Sequence, residues 1–279
     1  MTATAQVTRG GLAFTITEDG PADGEPVLLL HGFPQRSDSW DDVVPPLVAA
    51  GYRVLRMDQR GYSPGARPTG RYAYRISELV EDVAAVIDHY GGRVHLVGHD
   101  WGAGVAWTVA IMRPEKLISL TAVSVPHVGA FLRSFLTSTQ GLKSWYMYLF
   151  QLPLLPEWLL RRFWIPVLTR TGLPEAAARR DKAGLSGTGA LTGALNYYRA
   201  MPFMNIRSAF RPVTTPTLYI WSDGDGFLGE TGAKGTARYV SGPYRFETIS
   251  GASHWVAEEQ PARLAELIIS QAKAFPRSL

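Results

Sequence analysis

The apolar and polar positions of the chain switch between two periods. "LAFTITEDG" (12–20) alternates apolar and polar residues and ends in turn chemistry, which predicts a half-buried strand. "PVLLLHGFP" (26–34) is an unbroken apolar run closed by Gly and Pro, the pattern of a strand covered on both faces. "SWDDVVPPLVAAGY" (39–52) reads as helical after a Ser N-cap, despite its prolines. "RVLRMDQRGYSPG" (53–65) reads as a strand entering a Gly/Pro loop. In "ISELVEDVAAVIDHYG" (76–91) the apolar residues Ile76, Leu79, Val83, Val86 and Ile87 share one helical face, and Gly91-Gly92 stops the helix. Then follow a strand "RVHLVGH" (93–99), a helix "GAGVAWTVAIMRP" (102–114) broken at Pro114, and a strand "LISLTAVSVP" (117–126).

From His127 to Arg211 this rhythm stops. The segment is rich in Leu, Trp, Tyr, Phe and Pro, and predicts short helices broken by Pro153, Pro156, Pro166, Pro174 and Pro202. Afterwards "TPTLYIWSDGD" (215–225) and "YRFETISGASHW" (244–255) read as strands with loops, and "PARLAELIISQAKAF" (261–275) as a closing helix with Pro at its start. Strands alternating with helices predict an α/β fold with a mostly parallel sheet covered on both faces. The interruption is too long for a structureless loop. It therefore reads as a helical cap, 127–211, inserted into a core domain made of 1–126 and 212–279. Sites in open parallel sheets lie beyond the carboxyl ends of the strands, so the cap should roof the site.

Composition removes several classes of function. With no cysteine there is no disulfide framework, thiolate metal site or cysteine nucleophile, which fits a cytoplasmic protein. The N-terminal "MTATAQVTRGG" lacks the apolar centre of a signal peptide, and no apolar run is long enough for a membrane span. The net charge of +4 comes from scattered arginines, which argues for solubility rather than nucleic-acid binding. No metal or organic cofactor is implied. The oligomeric expectation is a monomer or a homodimer.

Three segments end strands at the same sheet edge: "HDWG" with Asp100, "SDGDGFLG" with Asp225, and "SGASHW" with His254. Asp100 sits between Gly98 and Gly102, where a strained strand-to-helix turn would present a nucleophile. A carboxylate needs no base to become nucleophilic at neutral pH, but it is a modest nucleophile. It suits a strained or activated sp³ carbon, in an epoxide or bearing a halide, and would give an alkyl ester. His254 would then activate a water against that ester, with Asp225 fixing the imidazole. The blander reading of Asp100 is a helix N-cap, and that of His254 a satisfied loop histidine. Asp223 competes with Asp225 within one turn.

Over nearly its whole length the chain resembles the α/β-hydrolase superfamily, in the order nucleophile, acid, histidine. More narrowly it resembles the epoxide hydrolases, through "HGFPQ", "GHDWGAG", "WYMYLFQLP" and "NYYRAM". The resemblance favours Asp225 over Asp223, since Asp225 stands four residues after Trp221 at the strand end. It implies backbone oxyanion donors at Phe33 and Trp101, a substrate pocket touched by Phe33, Pro34 and Trp101, and a cis Phe33-Pro34 bond. It carries two proton-donating cap tyrosines onto Tyr146 and Tyr198, each with a close competitor, Tyr148 and Tyr197. A tyrosine can donate to the departing alkoxide without bringing charge into an apolar pocket. His31 reads as a turn-fixing residue. The expected partners are a small apolar epoxide and water. The nearest alternative is a haloalkane dehalogenase with the same triad; Trp101 would suit it, but Phe33 has no side-chain donor for a halide. A non-catalytic ligand receptor on this fold should have a broken catalytic set, and this set is intact.

Overall fold

The apolar runs become the centre of a sheet. The computed structural model describes residues 2–277. Its strands are β1 (Ala3–Arg9), β2 (Leu12–Asp19), β3 (Pro26–Leu30), β4 (Arg53–Met57), β5 (Val94–His99), β6 (Leu117–Val123), β7 (Thr217–Ser222) and β8 (Tyr244–Ile249). They form one sheet in the order β1-β2-β4-β3-β5-β6-β7-β8. Only the β1–β2 and β2–β4 pairings are antiparallel. Every residue of β3, β5, β6 and β7 is buried, as expected of strands with helices on both faces.

The period-two geometry of a strand sorts these apolar residues into two cores. Leu28, Leu30 and Leu96 face a cluster with Val83 and Trp107, from the helices Ile76–His89 and Trp101–Met112. Val27, Leu29, Val97 and Ile220 face the opposite cluster, with Leu264 and Ile268 of the closing helix Pro261–Ala274. At roughly 1.5–3 kcal/mol per fully buried aliphatic side chain, these two layers are the main source of stability.

Several expectations change in detail. The region 39–52 is not one Ser-capped helix. A 3-10 turn, Ser37–Trp40, precedes a short helix Val44–Ala49 that has its prolines in the first turn. A proline lacks the N–H that a helix interior needs but loses nothing in the first turn, so Pro45 and Pro46 set where the helix can begin. The N-terminal residues form β1, an edge strand in which Val7 alone is buried, so its sequence carries little apolar signal. The turn after β7 leads to a helix Glu230–Gly235 that the apolar pattern did not announce.

Between β6 and β7 the chain is helical: Val128–Thr137, Gln140–Lys143, Trp145–Leu149, Leu155–Thr169, Glu175–Gly184, Ala190–Arg199 and Ile206–Ala209. The prolines do not all break these helices. Pro156 lies in the first turn of Leu155–Thr169, and Pro166 lies inside that helix, which kinks at Phe163. A proline ring crowds the carbonyl four residues back, here that of Arg162, so the chain bends beside it and continues. Among the described residues no helix is long and apolar enough to cross a membrane.

The turn between β5 and the helix Trp101–Met112 leaves no room for side chains at its two glycines. A Cβ on Gly102 would fall against the carbonyl oxygens of Leu30 and His31, and one on Gly98 against the backbone of Gly102 and Ala103. Gly102→Ala should therefore lower stability by about 2 kcal/mol or more, by overpacking. Urea denaturation measures this; an unchanged midpoint would show that the turn has room to relax.

Candidate active site

The turn that these glycines allow holds Asp100 at φ 51°, ψ −119°. A non-glycine residue there is strained, at a cost of order 1–3 kcal/mol. The alternative of an N-cap does not hold, because the Asp100 side chain makes no capping hydrogen bond to the helix that follows. Instead its Oδ1 accepts from the backbone N–H of Phe33 at 2.7 Å. Its Oδ2 lies 3.5 Å from Nε2 of His254. On the far side of that ring, Nδ1 lies 2.8 Å from Oδ2 of Asp225. Asp225 is oriented in turn by the backbone N–H groups of Phe227 and Leu228, at 2.7 and 2.9 Å from its Oδ1. The structure thus brings Asp100, His254 and Asp225 into one buried line. Asp223 is exposed and instead accepts from the Gly251 amide at 2.8 Å.

The charges of this line support one another. Burial pushes the Asp100 carboxyl up, but His254 and the Phe33 amide outweigh it and hold the group below the usual carboxylate range. Burial also depresses His254. Asp225, and after it Asp100, overcome that and push its pKa up to about 10. Both shifts favour a protonated imidazole facing the Asp100 carboxylate.

The implied oxyanion donors differ. The Phe33 amide already reaches the Asp100 carboxylate, and the Phe33-Pro34 peptide is cis. The Trp101 amide opens the helix after Asp100, and among the described residues it makes no such hydrogen bond. His31 behaves as a turn residue: its Nε2 accepts from the Gln59 amide at 3.2 Å, and its carbonyl from the Gln59 side chain at 2.6 Å.

The tyrosine pairs are separated by their surroundings. Tyr148 is largely exposed, whereas Tyr146 is half-buried, with its ring 6.0 Å from that of Tyr198. The Tyr197 hydroxyl is spent on the backbone oxygen of Arg60, at 2.9 Å. Tyr198 is buried, its ring 5.3 Å from Phe33 and 5.1 Å from Trp101. Burial first, then the charge of Asp100, raises both Tyr146 and Tyr198 well above the ordinary phenol value, so each holds its proton. The helix Ala190–Arg199, which carries Tyr198, meets the loop after β4 backbone to backbone. A Cβ on Gly193 would stand 2.8 Å from the Cα of Gly61.

Asp100, Tyr146 and Tyr198 line two apolar cavities that meet at this point. The smaller, about 100 Å³, is walled by Trp101, Ile76, Val128 and Met201. The larger, about 700 Å³, holds Phe33, Pro34 and His254 at its inner end and runs out between the inserted helices past Leu149 and Phe163. Among the described residues no cluster of His, Cys, Asp or Glu suits a metal ion.

Some contacts carried no sequence signal. His99 Nε2 lies 2.9 Å from the His254 carbonyl, which also accepts from the Ser124 hydroxyl at 3.2 Å, so two strand ends hold the histidine loop. Burial and the neighbouring His254 push His99 down to about 4, which keeps it neutral. Farther out, Arg180 of the inserted helix Glu175–Gly184 donates to Glu258 at 2.5 Å, and Glu258 also accepts from Gln35 at 2.9 Å. This ties the inserted segment to the loops of Phe33 and His254.

The raised proton affinity of His254 has a sign that can be tested. It stabilises the fold fully below the ordinary histidine value of 6.5, and that stabilisation is lost as pH rises toward about 10. Unfolding free energy should fall over this range by on the order of a few kcal/mol. His254→Gln should flatten the slope, as read by urea denaturation at several pH values; an equal slope in both proteins would refute the charged resting state.

Comparison with known proteins gives the family of the chain. The family model described as "Alpha/beta hydrolase family" matches residues 27–267. The AB hydrolase superfamily protein YfhM of Bacillus subtilis is 36% identical, over 96% of each chain. Human epoxide hydrolase 4 is 34% identical over 92% of this chain and 75% of its own length. The crystal structure of epoxide hydrolase A from Mycobacterium thermoresistibile superposes with a TM-score of 0.86 over 100% of both chains, at 26% identity. A mostly parallel sheet with an aspartate on the turn after β5, together with these matches in sequence and in structure, places the chain in the α/β-hydrolase superfamily, within its epoxide hydrolase family.

Proposed function

We propose that the protein hydrolyses a small apolar epoxide to a vicinal diol, with residues 127–211 acting as a cap over a core of 1–126 and 212–279. The observation that carries this reading is the meeting of Asp100, Tyr146 and Tyr198 on the walls of the same two apolar cavities. A carboxylate stands on one side of the space and two protonated phenols stand beside it. The names of the relatives support the same substrate class.

The first step is attack of an Asp100 oxygen on an epoxide carbon. The ring C–O bond breaks, an alkyl ester forms, and the departing oxygen takes a proton from Tyr146 or Tyr198. Esterification removes the Asp100 charge, which leaves His254 facing one carboxylate instead of two. Its proton affinity falls, and it gives up its proton to restore the tyrosine. Neutral His254 then takes a proton from a water that attacks the Asp100 carbonyl carbon, and Asp225 steadies the imidazolium. The oxyanion that develops is met by the Phe33 amide, with the Trp101 amide brought in as the carbonyl turns. Collapse releases the diol and regenerates the carboxylate and the imidazolium. The cycle consumes one epoxide and one water.

Asp100→Ala should abolish diol formation from a styrene oxide-like substrate, and normal turnover in that variant would refute the mechanism. In His254→Gln the ester should accumulate and show as an added substrate mass on the peptide containing Asp100; a variant that turns over without the adduct would remove His254 from the role of base. Changing Tyr146 and Tyr198 together to Phe should lower kcat by at least about 100-fold, the scale of a lost general acid. Chloride or bromide release from haloalkanes, with no diol from epoxides, would instead establish the dehalogenase reading.

A further inference from the structure

We infer that the face of the inserted helices around the mouth of the larger cavity docks on an anionic lipid bilayer. The first observation is exposure: Trp145, Tyr148 and Trp158 are 63, 65 and 61% exposed. Large aromatics are usually far more buried than this, and a contiguous exposed apolar patch marks an interaction surface. Trp158 is part of a connected stretch of one helix. The Trp158 ring lies 6.3 Å from Phe163, and the Arg162 guanidinium stands 5.3 Å over the Phe163 ring. Phe163 and Trp145, both exposed, line the larger cavity, so the cavity opens within the patch.

The second observation is charge. From Thr137 to Leu173 the basic residues are Lys143, Arg161, Arg162 and Arg170, and the only acid is Glu157. Glu157 is buried and paired with Arg199 at 2.7 Å, so it does not offset the basic charge of the surface. Trp and Tyr beside Lys and Arg, on a helical face with an apolar body, match the interfacial region of a membrane, where aromatic rings sit among headgroups and basic side chains meet anionic phosphates. A second copy of the chain fits less well, because two such faces would set like charges against each other. The bound geometry would place the cavity mouth at the acyl boundary, where apolar solutes concentrate. That consequence for substrate uptake rests on the proposed epoxide hydrolysis; the docking itself does not.

The test is co-sedimentation of the full chain with vesicles of phosphatidylcholine alone or mixed with phosphatidylglycerol, at low and high salt. Binding is read without turnover, so its failure is distinct from failure of the proposed reaction. The native protein should bind the mixed vesicles, and less so at high salt. The combined variant Trp158→Ser, Arg161→Ser, Arg162→Ser should bind roughly 30-fold more weakly. None of these three side chains lines either cavity, so turnover of a water-soluble epoxide should be unchanged. If that variant folds poorly, Arg161→Glu with Arg162→Glu should give the same loss with the tryptophan intact. Absence of binding by the native chain, equal binding by the variants, or a dimer in sedimentation that Trp158→Ser dissolves without any vesicle binding would overturn the inference.

Discussion

A carboxylate buried against the end of a parallel sheet is costly to keep ionised, and much of the architecture follows from meeting that cost at Asp100. One oxygen is met by the Phe33 amide and the other by the His254 imidazole. The imidazole needs a second anion to remain charged in the same buried place, and Asp225 supplies it. Asp225 is fixed in turn by two amides of its own turn. Each member is satisfied by the next, which is how a buried polar chain escapes the penalty of an unpaired charge. The three strand ends must converge for this, so the sheet order and the site are parts of one constraint.

The constraint extends into the backbone. The turn at Asp100 closes only because Gly98 and Gly102 leave no side chain between β5, the helix after it and the end of β3. Strain at one residue is tolerated where buried strands on either side over-determine the position. The two hydrophobic layers therefore do more than stabilise the fold: they keep the carboxylate in an orientation that a freer chain would abandon.

Much of this was legible in the sequence. The unbroken apolar run at 26–30 and the short segment at 94–99 read as buried strands, and the residues at strand ends, with the resemblance to known hydrolases, pointed to Asp100 and His254. The resemblance favoured Asp225 over Asp223, and in the structure Asp225 meets His254 while Asp223 is turned to the Gly251 amide. Tyr197 and Tyr198 are equivalent as letters; the resemblance favoured Tyr198, and in the structure the Tyr197 hydroxyl is spent on the Arg60 carbonyl while Tyr198 lines both cavities. His99 and Ser124 were invisible as supports of His254, since their contact joins strand ends more than 100 residues apart in the chain. The prolines misled where they sat in first turns or at a kink, because a proline stops a helix only where an N–H and free space are both required.

The contact between Gly61 and Gly193 gives the tyrosine helix an unusual reference point. Helices commonly rest on one another through side chains, and their separation then drifts as those side chains change in size. Here two main chains touch directly, so the height of Tyr198 above the sheet edge does not depend on what the neighbouring side chains are. The walls of both cavities can be widened, narrowed or made more polar while the phenol keeps its distance from the carboxylate. Under the proposed reaction, substrate preference and proton delivery are thereby mechanically separable, and one can diversify without disturbing the other.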